Sequence, residues 1–312
     1  MITMYPTEPA FNLKGITMLL RFVAVVCSSV AAVLSTAFPL LFHPSLSWFT
    51  IVSITFMLLI GAILIQGVLT HAFNDLTDHK SGTDQHSPGL LSGGSRVLQT
   101  GNMSVQMLIQ LGIGVSIFLL FITAILILFG YTKLAILTLV GIWGAGSYSL
   151  KPFRLAYYPF VGEWLSLFPT LFLLGIAAPW LLLDHVPLWA WQNSLVNTLV
   201  CLAWVMVHHI PDRQADRQAR PSKRTTVVWA EDFFGKRAAK LPALLYYIFV
   251  GILLLWIAFT RPIGGIGAGV VLVYGIYLIA KMNIEDVREV TIVEKRLLLF
   301  AFGTALWLGI FI

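Results

Sequence analysis

The chain has 312 residues, of which 58% are hydrophobic and only 11% charged, with a mean hydropathy of +0.86. A soluble domain carries about 25% charged residues, so this composition cannot clothe a water-facing surface. The formal charge of +6 invites a nucleic-acid partner, but the placement of the basic residues argues against that class.

A membrane-spanning helix needs about 20 mostly apolar residues. In chain order, such segments are predicted near 16–42, 48–70, 104–129, 133–149, 159–183, 187–208, 241–260, 264–282 and 297–312. They recur without a Pro/Gly/Ser-rich linker, so residues 1–312 read as one all-α polytopic membrane domain of about nine helices. Pro39, Pro169 and Pro179 fall in or near helix ends, where kinks are expected. The first fourteen residues lack a basic stretch leading into a short apolar core and cleavage site, so no removable signal peptide is expected. Cys27 and Cys201 both lie in apolar stretches, which excludes a disulfide framework or a CxxC metal site.

Lysine and arginine test this map. If the chain starts inside, nearly all of them fall on inner segments, and only Lys133 and Arg261 fall outside. Positive charge accumulates in cytoplasmic loops, so the asymmetry supports a multi-pass protein of the cell (inner) membrane. It also explains the basic pI through membrane lipid, with no nucleic acid. The inner loops 71–103 and 209–240 are long, whereas the outer connections 43–47, 130–132 and 184–186 are minimal. Long loops in a compact fold are usually functional.

Each long loop opens on an acidic segment. The first reads His71-Ala72-Phe73-Asn74-Asp75-Leu76-Thr77-Asp78 and continues to Gly82-Thr83-Asp84. If the helix runs on, Asp75 and Asp78 share a face at i and i+3, Asn74 adds a neutral oxygen, and Asp84 folds back from beyond Gly82. The second reads His208-His209-Ile210-Pro211-Asp212-Arg213-Gln214-Ala215-Asp216-Arg217. Pro211 suits the first turn of a new helix, placing Asp212 and Asp216 at i and i+4 on one face. Magnesium favours one or two carboxylates plus phosphate oxygens and water. Two facing pairs, Asp75/Asp78 and Asp212/Asp216, would hold Mg²⁺ on a diphosphate and neutralise a crowding that is otherwise unfavourable. Lys151 and Arg154 in the loop after the fourth helix, and Arg217, Lys223 and Arg224 after the second acidic pair, stand where they can offset phosphate charge. Each serves equally well as an inner-face anchor.

At these residues the chain resembles the UbiA superfamily of intramembrane prenyltransferases. Asn74-Asp75-Leu76-Thr77-Asp78 with Gly82-Thr83-Asp84 is similar to the NDxxDxxxxGxD form of menaquinone-pathway members, which prenylate 1,4-dihydroxy-2-naphthoate. Asp212 to Arg217 followed by Lys223-Arg224-Thr225 resembles the family's DxxxDR…KRT, and Tyr148-Ser149 with Pro152 and Arg154 its YS-x-x-P loop. The resemblance implies a bundle of helices around a central cavity and Mg²⁺-dependent ionisation of a prenyl diphosphate. The allyl cation then alkylates an aromatic acceptor in quinone biosynthesis, with the chain in a lipid-open groove. It also implies that Asn74, Asp84, Tyr148, Lys151, Arg154, Arg217, Lys223 and Arg224 contact substrate. Aromatic faces stabilise positive charge, and Phe73, Tyr148, Tyr157, Tyr158 and Trp164 lie near the inner face, where they serve equally as interface anchors.

The chain departs from the family pattern at His71 and His208-His209, where those members carry Asn, and at Leu20-Arg21-Phe22, where they carry Arg-Pro. These differences motivate a second reading, a terpene cyclase that ionises the same donor without an aromatic acceptor. Arg21, Gln66 and Glu163 are polar residues in or beside helices that either contact an acceptor or pair with another polar group. A zinc site built from His71, His79, His86, His208 and His209 lacks ligand spacing. A transporter would place ionisable groups at mid-membrane rather than at helix ends.

Overall fold

The computed structural model describes residues 13–89 and 91–312; the segment in which no signal peptide is expected lies largely outside them. Nine long helices occupy the nine predicted segments among the described residues. They are α1 (Phe22–Phe42), α2 (Trp48–Ser81), α3 (Val105–Leu128), α4 (Thr132–Ser149), α5 (Glu163–Leu182), α6 (Leu188–His209), α7 (Lys236–Thr260), α8 (Pro262–Lys281) and α9 (Val287–Ile310). Serine caps set two of the starts: the Ser47 side chain accepts from Thr50 N and that of Ser104 from Met107 N.

Seven of the nine, all but α4 and α9, are long and apolar enough to cross a membrane. Lys133 and Ser147-Tyr148-Ser149 dilute α4 at its two ends. Helix α9 begins ten residues earlier than predicted, because Asp286 accepts hydrogen bonds from Arg288 N and Glu289 N and starts the helix there. The extension brings Glu294, Lys295 and Arg296 into the helix. Phe49, Leu128 and Phe259, at 83%, 82% and 89% exposure, suit lipid and would be costly in water.

Helix α6 is the axis of the bundle: 83% of its spanning window is buried, against 17% for α2 and for α3. It packs on α5, α7 and α9, while α1 closes the ring between α5 and α9. Hydrocarbon drives no helix association by itself, so close backbone approach and internal hydrogen bonds do the work. A Cβ at Gly309 would lie 2.9 Å from Ser35 O, which shows how closely α9 meets α1. Asn193 of α6 donates to Ser35 O at 3.1 Å and Leu308 O at 3.0 Å, and accepts from Arg261 Nη2 at 2.9 Å.

Two helices are distorted where they face each other. Val26–Val30 in α1 and Ile63–Thr70 in α2 have π-helical geometry, which often marks functional positions. Gln66 bridges them, donating to Ser28 Oγ at 2.9 Å and accepting from the Ser29 hydroxyl. Ahead of α1, helix Leu13–Leu20 ends at Arg21, whose φ of 44° breaks the run.

Candidate active site

Both acidic segments end up at one end of the bundle. Helix α2 continues through the first to Ser81, placing Asn74, Asp75 and Asp78 over one turn. Asn74 Nδ2 donates to Asp78 Oδ2 at 3.1 Å. Gly82, at φ 83°, ends the helix in the left-handed conformation that glycine adopts cheaply. The turn brings Asp84 back, buried, beside Asp75. The second segment differs in detail from expectation. Pro211 lies in a turn, and helix Arg213–Gln218 starts one residue after Asp212. The spacing of one helical turn survives, with Asp216 N donating to Asp212 O at 2.8 Å. Arg220 N donates to Ser81 O at 2.9 Å, docking one long loop on the other.

Between them runs Ser92-Gly93-Gly94-Ser95. Asp212 accepts from Ser92 Oγ at 2.9 Å, from Gly93 N at 3.1 Å and from the Ser87 hydroxyl. Asp75 accepts from Ser95 N at 3.1 Å and from the Ser95 hydroxyl. Gly94 has φ +75°, and a Cβ there would sit 2.8 Å from Asp84 Oδ2 and 2.9 Å from Asp75 Oδ1. Only a glycine threads between those two carboxylates. This run of small polar residues was visible in the sequence, and its density in so apolar a chain was the signal for it.

Lys223 is the charge at the centre. Its Nζ lies 3.1 and 3.2 Å from the two oxygens of Asp78 and 3.8 Å from Asp216 Oδ1. Burial lowers the pKa of Lys223, but Asp78 and Asp216 outweigh it and hold the ammonium well above its usual range. Burial raises Asp216 well above the carboxylate range, with Lys223 opposing and Asp212 and Asp78 adding. Asp84 is pushed up to about 7, by burial first and then by Asp78 and Asp75.

A cavity of about 160 Å³ opens against this cluster, lined by Asn74, Asp78, Asp212, Asp216, Lys223 and Tyr148 among others. Asp75 and Asp84 lie just behind its wall. A second cavity of about 320 Å³, mostly apolar, shares Ser29, Ile65, Gln66 and Thr170 with the first. A polar chamber thus continues into an apolar one.

Several predicted contacts are not brought there. Arg217 is taken up by Glu231 at 2.8 Å and Asp232 at 2.7 Å. Arg224 lies over the Phe233 ring at 5.5 Å, and Lys151 is exposed. For these three, nearness in sequence to the acidic segments and the YS loop does not become nearness in space, because local partners capture two of them. Arg154 stands one layer back, 5.3 Å over the Tyr157 ring, whose centre is 5.9 Å from Lys223 Nζ. Glu163 pairs with Thr226 Oγ1 at 2.6 Å and is a packing group. Phe73 packs on Gly112 of α3, and Tyr158 and Trp164 are exposed. The cavity instead gains Arg21, His71, Trp204, His208 and His209.

Among the described residues, no three His, Cys, Asp or Glu side chains converge to hold a metal by themselves. The donors that do meet are carboxylates and an amide. Asp84 Oδ1 and Asp216 Oδ1 are buried without hydrogen-bond partners. A hard cation that keeps water and takes phosphate oxygens fits such a set, whereas a fully caged ion does not.

Residues 30–303 match the model of the UbiA prenyltransferase family. Solved structures of similar fold include a UbiA homolog from Archaeoglobus fulgidus bound to GPP and Mg²⁺. That structure has a TM-score of 0.62 at 16% identity, covering 93% of this chain and 99% of that one. The same homolog bound to DMAPP and Mg²⁺ gives 0.61 at 15% identity, covering 93% and 98%. A search of curated protein sequences finds no significant match.

Proposed function

The chain belongs to the UbiA prenyltransferase family, and from that premise we propose that it transfers a prenyl group from a magnesium-bound prenyl diphosphate to an aromatic acceptor. The observation that carries this reading is the pair of acidic segments facing one polar cavity that opens into an apolar chamber. A diphosphate joined to a hydrocarbon chain has those two halves. The GPP and DMAPP bound with Mg²⁺ in the Archaeoglobus homolog support the same class of donor.

Asp78 and Asp216, with Asn74 beside them and Asp75, Asp84 and Asp212 close by, are the residues that would hold magnesium. When bound, Mg²⁺ supplies Lewis-acid stabilisation of charge developing on the departing diphosphate. Lys223 adds a fixed positive charge at the same place. Ser87, Ser92, Gly93 and Ser95 fix the Asp75 and Asp212 carboxylates and so preorganise the wall. Tyr148 and Trp204 line the cavity, and aromatic rings there would stabilise a cation forming at the prenyl C1. The apolar chamber takes the chain and excludes water that would quench that cation. The excess of Lys and Arg in the loops at this end supports a site that faces the cytoplasm from the inner membrane. The resemblance of Asn74–Asp84 to the NDxxDxxxxGxD form supports an acceptor of the 1,4-dihydroxy-2-naphthoate kind, in menaquinone-type biosynthesis.

Incubation of the purified protein with geranyl diphosphate, Mg²⁺ and a dihydroxynaphthoate is expected to release diphosphate and give a prenylated arene. A cyclic hydrocarbon or alcohol formed in the absence of acceptor would replace this reading with the cyclase one.

A further inference from the structure

Three histidines border the cavity, and one of them is built like a base. His208 Nδ1–H donates to Glu294 Oε1 of α9 at 2.5 Å, and Glu294 is 0% exposed. On the opposite side of the ring, Arg21 Nη2 donates to His208 Nε2 at 3.2 Å. Both contacts specify the same tautomer, with the proton on Nδ1 and the lone pair on Nε2. Trp204 stacks on the ring, centroids 5.0 Å apart and planes at 27°, which fixes its orientation.

A packing role explains this poorly. An isolated buried carboxylate is costly, and an aliphatic residue would fill the same space. Glu294 Oε2 has no hydrogen-bond partner, so only one of its oxygens is compensated. Its contact with His208 is the arrangement by which a carboxylate orients an imidazole and stabilises its protonated form. Nothing in the prenyl-transfer chemistry above uses it. Yet that chemistry discards a proton wherever it couples at a ring C–H or cyclises to an olefin. The magnesium-facing carboxylates are engaged elsewhere.

We propose that His208, oriented by Glu294, accepts the proton lost when the prenyl cation is captured; this rests on the prenyl diphosphate reading. The C1–O bond breaks with its electron pair leaving on diphosphate. A π pair of the acceptor forms the new C–C bond to C1. The C–H pair at the alkylated carbon restores the ring, and the proton passes to Nε2. The imidazolium then faces Glu294 until the proton leaves with water or the departing diphosphate. The incoming substrate displaces one hydrogen bond, that of Arg21, which also donates to the Leu91 carbonyl. Glu294 is a positioning residue.

Geranyl diphosphate, Mg²⁺ and dihydroxynaphthoate, with ring-deuterated acceptor in parallel, test this on the full-length protein. His208→Gln is expected to lower the yield of proton-losing products, arene or cyclic olefin, by about 10²-fold. Diphosphate release should fall less, the balance emerging as water-captured prenyl alcohol, and a primary isotope effect should appear. Glu294→Gln keeps size and a hydrogen-bonding group. The groups around His208 are Arg21, His71, His209 and Glu294, with Lys223 and Asp212 along the same cavity. Losing the one carboxylate that holds the ring removes its orientation, so the product ratio of Glu294→Gln should shift toward prenyl alcohol as in His208→Gln, with the KM for geranyl diphosphate unmoved. Variants that release diphosphate and yield wild-type product ratios overturn the proposal. A wild-type protein that releases no diphosphate from geranyl diphosphate overturns the prenyl-transfer reading instead.

Discussion

Asp78→Ala lowers magnesium-dependent turnover of a prenyl diphosphate by about 10³-fold or more. Metal stabilisation of a departing phosphate contributes several kcal/mol, and each 1.36 kcal/mol is a factor of about ten in rate. Asp78 is central to that effect because it faces the cavity, meets Lys223 through both oxygens and is buttressed by Asn74. Asp78→Asn retains the volume and a hydrogen bond to Asn74 while deleting the charge, so it should lose nearly as much. Steady-state diphosphate release measures both, and an Asp78→Asn protein with wild-type rates would sink the assignment. Stability must be followed alongside, since Lys223 would keep only the 3.8 Å contact with Asp216 among its carboxylates. Breaking a buried pair costs about 3–5 kcal/mol.

The second large effect belongs to Lys223→Met, in which the metal-free protein is destabilised by about 3–5 kcal/mol. Removing the ammonium leaves Asp78 and Asp216 buried and mutually repelling. Mg²⁺ then has a stronger reason to bind, so it should raise the unfolding midpoint of the variant more than that of the wild type. Thermal unfolding in detergent, with Mg²⁺ or EDTA, decides it. Equal magnesium-induced shifts in the two proteins would mean that Lys223 and the cation do not compete for the same carboxylates. Turnover should fall as well, because Lys223 also offsets diphosphate charge.

The helical segments were legible because hydrocarbon imposes a length and an apolarity that few other environments do. The α2 extension was legible too: Asp75 and Asp78 share a face only if the helix persists past the membrane, and it does, to Ser81. Gly82 announced the turn that returns Asp84. What could not be read was pairing across the fold. Arg217 and Lys223 look alike in the sequence, yet one is captured by Glu231 and Asp232 and the other by Asp78. The His208–Glu294 contact joins residues 86 positions apart. Glu294 was obscured because the ninth apolar stretch starts only after it, at 297, and its burial follows from where α9 begins. Gln66 likewise shows its purpose only when two π-helical turns are seen side by side.

Metal-dependent binding of a non-ionising geranyl thiolodiphosphate tests most directly whether the two acidic segments form one site. Titrated calorimetrically into detergent-solubilised protein, it should bind in Mg²⁺ and fail to bind in EDTA. Asp78→Ala and Asp216→Ala should each abolish the Mg²⁺-dependent component. Equal affinity in Mg²⁺ and EDTA, or Mg²⁺-dependent binding that survives both substitutions, would contradict a diphosphate held between Asn74–Asp84 and Asp212–Asp216.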